Sequence, residues 1–213
     1  VEVSFDAFKT VVNDVGGVEI ELTESEAAYL NATNYIRPAK YRTVKAGKHT
    51  LNGAQALGYC RIRKYAKGIQ PVTPNGQIDD YGRTWRQRNA ITSIFSKVKK
   101  MPKSQWLKIA KDVLKKNVKT DLSNKQIFNY IKDVVMMGTT TIHQLQIPVN
   151  PYFSGGNVPG VGSCLSIQKE YQADAINQFV FKYDGKGGEF TYTPSSDVSG
   201  YVSSSTPSAS PAN

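Results

Sequence analysis

Two arginine clusters bracket a glycine- and proline-marked loop: Arg61-Ile62-Arg63-Lys64 comes first, and Asp80-Tyr81-Gly82-Arg83-Thr84-Trp85-Arg86-Gln87 follows. Five of the chain's seven arginines lie between positions 61 and 88. With Lys64 and Lys67 against Asp79 and Asp80, that window holds seven positive and two negative charges, half of the protein's formal +10. Two unit charges about 4 Å apart repel by about 4 kcal/mol at an effective dielectric near 20, so gathered guanidinium groups need an anion or carboxylates among them. The planar arginine fork matches phosphate oxygens bidentately. The chemistry these residues suit is binding of a phosphate-bearing ligand.

The elements that would position them follow from spacing. Arg83, Gln87, Ile91 and Phe95 are four apart, so a helix puts them on one face and continues a core stripe into polar residues at its N-terminal end. Arginines in a first turn oppose the helix dipole, whereas an oxyanion there meets free amides and guanidinium groups together. The competing reading is structural: Asp79 or Asp80 caps the helix and pairs with Arg83 and Arg86, with no ligand required. Arg61 and Arg63 face one way on a strand and diverge on a helix. The strand reading lets both meet one ligand, or makes them the cationic side chains of a solvated edge.

Along the rest of the chain, Val1 to Ser4 reads as a strand end and Phe5 to Val15 as a helix stopped by Gly16-Gly17. Val18, Ile20 and Leu22 alternate as a strand, Glu24 to Asn31 forms a short helix, and Arg37 to Lys48 is loop. Asn52 or Gly53 caps a helix carrying Ala54, Ala56, Leu57 and Tyr59 into the first arginines, and Lys67 to Gly76 is loop. From Arg83 a helix carries Ile91, Ile94, Phe95 and Val98. A second follows with Trp106, Ile109, Ala110, Val113 and Leu114, and a third, capped by Asp121 or Ser123, ends at Gly138. Thr139 to Ile147 and Cys164 to Ile167 read as strands, Ser154 to Gly162 as a loop, and Lys169 to Tyr183 as a last helix.

With 213 residues, 39% of them hydrophobic, one globular domain is expected rather than two. A pI near 9.5 favours anionic partners: nucleic acid, an anionic lipid surface or a phosphorylated glycan. Nine lysines against Asp112 between Lys97 and Lys119 read as a solvated helix face. Cys60 and Cys164 read as packed thiols, and with His49 and His143 they are too few for a metal cluster of those residues. No apolar run here spans a bilayer, and no phosphate-binding Gly-x-x-x-x-Gly-Lys loop or Gly-x-Ser-x-Gly elbow is present.

Taken in order, Val15-Gly16-Gly17-Val18, Ala46-Gly47 through Leu51-Asn52-Gly53, Ala56-Leu57-Gly58-Tyr59-Cys60-Arg61-Ile62-Arg63-Lys64, and Asp80-Tyr81-Gly82-Arg83 with Arg86-Gln87 resemble the LytR-CpsA-Psr family of bacterial envelope proteins, over about residues 1 to 183. The resemblance implies an α/β fold, three-layer α/β/α around a central mixed sheet, with residues 1–192 as the C-terminal part of the family's domain. Residues 193–213, rich in serine and proline, read as a disordered tail. It implies an extracytoplasmic, membrane-anchored phosphotransferase that moves a glycopolymer such as teichoic acid or capsule from a polyprenyl pyrophosphate carrier to a peptidoglycan acceptor. Carried over residue by residue, pyrophosphate binding falls to Arg61, Arg63, Arg83, Arg86 and Gln87, and the catalytic positions to Arg83 and Asp80. Asp80 is expected to orient arginine rather than act as base.

The family's further arginine, its paired aspartates associated with Mg2+ and its membrane anchor belong to an N-terminal half expected outside this chain. Mg2+ is therefore an expected cofactor without ligands here, and the N-terminal half an expected partner. Nucleic acid is not expected, although a non-catalytic module binding nucleic acid or an anionic polymer is the main rival reading. Such a module's affinity would fall steeply with salt and spread over many lysines. A second rival is a folded remnant that binds lipid pyrophosphate without turning it over.

Overall fold

Ser4 begins the regular structure: its hydroxyl accepts from the Ala7 amide at 3.1 Å and caps α1 (Phe5–Asp14), directly after the two-residue strand β1 (Glu2–Val3). The computed structural model describes residues 2–102, 104–106, 108–109, 118–137, 141–186, 190–196 and 198. They divide into two units, Val1–Thr140 and Thr141–Asn213, where one domain is the expectation from length. Each unit has its own packing, described separately below.

In the first unit the alternation at Val18, Ile20 and Leu22 produces β2 (Val18–Leu22), whose apolar side is buried. Its antiparallel partner is β3 (Gly47–Leu51), with Val18 opposite Leu51 and Leu22 opposite Gly47. The sequence places Arg37 to Lys48 in a loop, and the structure corrects its end. Lys48 and Thr50 keep no apolar alternation there, so this strand is fixed by pairing with β2. A single 3-10 turn (Ala39–Tyr41) breaks the rest of that segment.

Two capping boxes set the next helices. Thr23 exchanges side-chain and backbone bonds with Glu26 at the start of α2 (Glu24–Ala32), and Asn52 does so with Gln55 at the start of α3 (Gly53–Arg61). Gly53 permits α1 and α3 to touch, since a Cβ there would lie 2.4 Å from the Lys9 carbonyl oxygen. The core gathers Val12, Val18, Ile20, Leu30, Ile36, Leu51, Tyr59 and Ile62, all at most 1% exposed.

The long helix α4 (Asp79–Lys100) starts four residues before the predicted Arg83. Its N-cap position is Ile78, with no side-chain bond to the helix, so neither Asp79 nor Asp80 caps it. Its buried residues are Gly82, Arg86 and Ala90, with Trp85, Ile94 and Val98 packed beside them. This corrects the predicted face: Ile91 is 56% exposed and Gln87 is exposed. A four-residue spacing fits either face, and the phase was decided by what Arg86 meets inside.

After short helical stretches at residues 104–106 and 108–109, β4 (Val118–Lys119) pairs with β1, and α5 (Asn124–Met137) begins after Ser123. Ser123 is the cap, exchanging bonds with Gln126, and Asp121 is not. The predicted Ala110, Val113 and Leu114 stripe and the stop at Gly138 lie outside the described residues.

In the second unit, residues 141–146 form no strand, against the expectation for Thr139 to Ile147, whose first two residues lie outside the description. Period-two patterning makes a strand only where another edge accepts its bonds. The converse happens at Ser154 to Gly162, predicted as loop: β5 (Phe153–Val158) runs through it and pairs with β6 (Gly162–Ile167), Gly155 opposite Leu165. Ladder bonds come from backbone, so glycines do not prevent them. Helix α6 (Lys169–Asn177) continues into a π turn at Gln178–Lys182, close to the predicted span. Its Gln172 holds both Val149 and Tyr152 backbone groups, and the Tyr152 and Tyr171 rings stack 3.9 Å apart. The α/β class is as the sequence implies, and the described strands pair as three two-stranded antiparallel sheets.

Candidate active site

Arg63 lies just beyond α3, Asp80 in the first turn of α4 and Arg83 at the start of its second, so the pairing of the two helices brings them together. Asp80 bridges both arginines: Arg63 Nη2 donates to its Oδ2 at 2.5 Å, and Arg83 Nη2 approaches its Oδ1 at 2.6 Å. All three side chains are 36–45% exposed, so the cluster is open to a ligand. Two cations share one anion, which leaves a positive charge uncompensated at the surface. Arg83 Nε is a buried donor without a partner among the described residues. An orphaned donor of this kind costs about 1–3 kcal/mol until an acceptor reaches it.

Arg61 stands differently. It is the last residue of α3, not a strand residue, and its guanidinium lies 5.3 Å from the Tyr35 ring centroid and 5.6 Å from that of Phe5. The aromatic faces hold the cation without neutralising it. Among the described residues no carboxylate pairs with Arg61. Buried Ile62 anchors the backbone between Arg61 and Arg63, which leaves both heads part-exposed around it. Gln87 Nε2 donates to the Cys60 carbonyl at 3.4 Å, one of the last-turn oxygens of α3 that the helix itself leaves unpaired. It thereby ties α4 to the end of α3 beside Arg61.

Arg86 is a correction to the predicted site. It is 0% exposed, and its donors are taken: Nε by Glu26 Oε1 at 2.7 Å, Nη1 by the Ile62 carbonyl at 3.4 Å, Nη2 by the Pro71 carbonyl at 3.3 Å. A guanidinium committed in this way holds α2, α3, α4 and the loop together; it is not a ligand contact at the surface. Gly82 makes room for it, since a Cβ there would lie 3.0 Å from Arg86 Nη1. The partner missed in the sequence is Glu26, whose other oxygen accepts the Thr23 amide. Thr-x-x-Glu spacing signals the capping half of that arrangement, but nothing local signals the second half.

Burial raises the Glu26 carboxyl above its ordinary range, against the pull of the Thr23 amide and Arg86. The same burial pushes the Cys60 thiol up to about 12, with the charge of Arg86 acting in the opposite sense. Both cysteines are free thiols, as the packing reading expects. Among the described residues no three His, Cys, Asp or Glu side chains converge. Nor, among them, is any helix long and apolar enough to cross a membrane.

A profile of the LytR_cpsA_psr family matches residues 1–178, across both units. The chain belongs to the LytR-CpsA-Psr family. Its relatives include the polyisoprenyl-teichoic acid–peptidoglycan teichoic acid transferase TagU of Enterococcus faecalis, 34% identical over 125 residues, which are 58% of this chain and 34% of TagU. The regulatory protein MsrR of Staphylococcus aureus is 27% identical over 144 residues, 65% of this chain and 39% of MsrR. Among solved structures, gbs0355 of Streptococcus agalactiae superposes with a TM-score of 0.55 at 25% identity, over 88% of this chain and 58% of that one. The matched stretches therefore span well under half the length of these curated relatives.

Proposed function

We propose that this chain supplies the pyrophosphate-binding part of an extracytoplasmic phosphotransferase that moves a glycopolymer from a polyprenyl pyrophosphate carrier to peptidoglycan. The observation that carries the reading is the open cluster in which Arg63 and Arg83 share Asp80 while Arg61 keeps its full charge. TagU is named for transfer of teichoic acid to peptidoglycan, and membership of the same family supports the reaction class.

In this reading the acceptor hydroxyl oxygen bonds to the phosphorus bearing the glycan. The bond from that phosphorus to the bridging oxygen breaks, and polyprenyl phosphate leaves with the electron pair. Phosphoryl transfer relies on positioning and charge stabilisation more than on covalent help from the protein. Arg61 and Arg83 meet the non-bridging oxygens. Arg63 adds charge from the far side of Asp80, whose carboxylate keeps both guanidinium groups pointed before substrate arrives. Gln87 positions the end of α3. The base for the acceptor proton, Mg2+ and the membrane anchor fall to the rest of the protein.

The test is release of polyprenyl phosphate from a polyprenyl-pyrophosphate glycan by the full-length protein. Arg83→Ala is expected to lower the rate about 100-fold or more, the usual cost of losing one preorganised charge-stabilising donor. An unchanged rate would overturn the assignment.

A further inference from the structure

An open cleft of about 410 Å³ lies in the first unit, on the side of α1 that carries Asp6, Lys9, Thr10 and Asn13. Tyr41 of the 3-10 turn and Asn52 at the cap of α3 complete it. From Asp6 to Asn13 the helix rises about 10 Å, so the lining residues of α1 are spread over that length. Three of its properties restrict what can occupy it.

Its charge is balanced. Lys9 Nζ pairs with Asp6 Oδ1 at 2.5 Å, so the lining residues carry no net charge in a chain of formal charge +10, and Lys40 is a cation at their edge. An anionic polymer gains nothing there over the rest of the surface. Its hydrogen-bonding groups are also of both kinds. Asn13 Oδ1 accepts the Gly53 amide, and Asn52 Oδ1 accepts the Ala54 and Gln55 amides, which leaves both NH2 groups as donors. Asp6 Oδ2 and Thr10 Oγ1 remain as acceptors, the latter while donating to the Asp6 carbonyl. Finally, Lys40 covers one face of the Tyr41 ring, with its ammonium 5.0 Å from the centroid, and the ring still lines the cleft.

Fixed donors and acceptors along a neutral groove, beside an aromatic ring, suit a hydroxyl- and amide-bearing sugar. The cleft also has a direction. Asp6 follows Phe5, whose ring lies under the Arg61 guanidinium, so a chain of sugars along α1 would lead toward the arginine cluster. We propose that this cleft is a subsite for the uncharged amino-sugar backbone of the acceptor glycan. The proposal rests on the phosphotransferase reading and assigns that reaction its second substrate. A phosphate-rich donor polymer is disfavoured by the neutrality.

Titration of the full-length protein with chitotetraose, read by calorimetry, tests it, with poly(glycerol phosphate) as the anionic comparison. Chitotetraose is expected to bind. Tyr41→Ala is expected to weaken binding at least tenfold, and Thr10→Arg, which fills the cleft from a part-buried helical position, to abolish it. Arg83→Ala is expected to leave saccharide binding unchanged while transfer is lost, so failure of the subsite and failure of the reaction are separately visible. Absence of chitotetraose binding, equal binding by the wild type and both cleft variants, or a preference of the cleft for poly(glycerol phosphate) would each overturn the assignment. Thermal melts identify a variant that misfolds, and Asp6→Asn, a conservative exposed change expected to weaken binding several-fold, then decides the matter.

Discussion

Arg83 and Arg86 stand one turn apart on α4, and each meets a carboxylate at 2.6–2.7 Å. Around Arg86 both partners are 0% exposed, and two backbone carbonyls complete the guanidinium's shell. Around Arg83 the pair is more than a third exposed, the carboxylate is shared with Arg63, and one donor has no acceptor among the described residues. The same two residue types therefore do opposite work. A closed shell is a staple, whose removal leaves an uncompensated buried charge. An open shell with surplus charge is what the proposed reading needs for a ligand, and its removal changes little in the fold.

The widest separation between the two regions should appear in stability. Arg86→Ala is expected to destabilise by about 3–5 kcal/mol, because Glu26 is left buried without its counter-charge; urea denaturation measures it. Arg83→Ala should change stability by no more than about 1 kcal/mol, the range of exposed ion pairs, while transfer falls about 100-fold. If Arg83→Ala unfolded the protein, or Arg86→Ala spared its fold and removed activity alone, the contrast would be reversed.

A smaller effect sharpens the buried side. Glu26→Gln combined with Arg86→Met removes both charges while Gln keeps the cap acceptor for Thr23, and it should recover much of the stability lost in Arg86→Ala. Smaller still is a chemical readout. With its pKa pushed up to about 12 and the residue buried, Cys60 should resist a thiol reagent at pH 8 while the less buried Cys164 reacts, giving one modified thiol per native chain. Arg86→Ala should expose the second.

The least effect is on pH dependence. Because burial raises Glu26 in the folded state, the native protein holds that proton more tightly than the unfolded chain does. Its contribution is full below the ordinary glutamate value and is lost as pH rises through the raised one. Glu26→Gln, whose amide does not titrate, should gain stability relative to the wild type over that interval in denaturation curves taken at several pH values.

Much of the local structure was legible in the residues. Alternation at Val18, Ile20 and Leu22 located β2, and Asn52 capped α3 as its side chain suggests. Strand β3 and the glycine-bearing β5 were not legible, because their bonds come from a neighbouring backbone rather than from their own pattern. Of the arginines, Arg63 and Arg83 are brought to one carboxylate, Asp80, across a separation of 17 residues for the first. Arg86 was misread because its spacing to Arg83 carries no information about depth.

What the sequence determined by itself is the inventory: the concentration of arginine between positions 61 and 88, the caps, the alternation and the motif order of a LytR-CpsA-Psr chain. What only the tertiary structure decided is which guanidinium goes inside. Helical phase offers two faces of comparable merit, and burial of a charge is tolerable only where a counter-charge waits. That counter-charge is Glu26, 60 residues away along the chain and brought to α4 by folding alone.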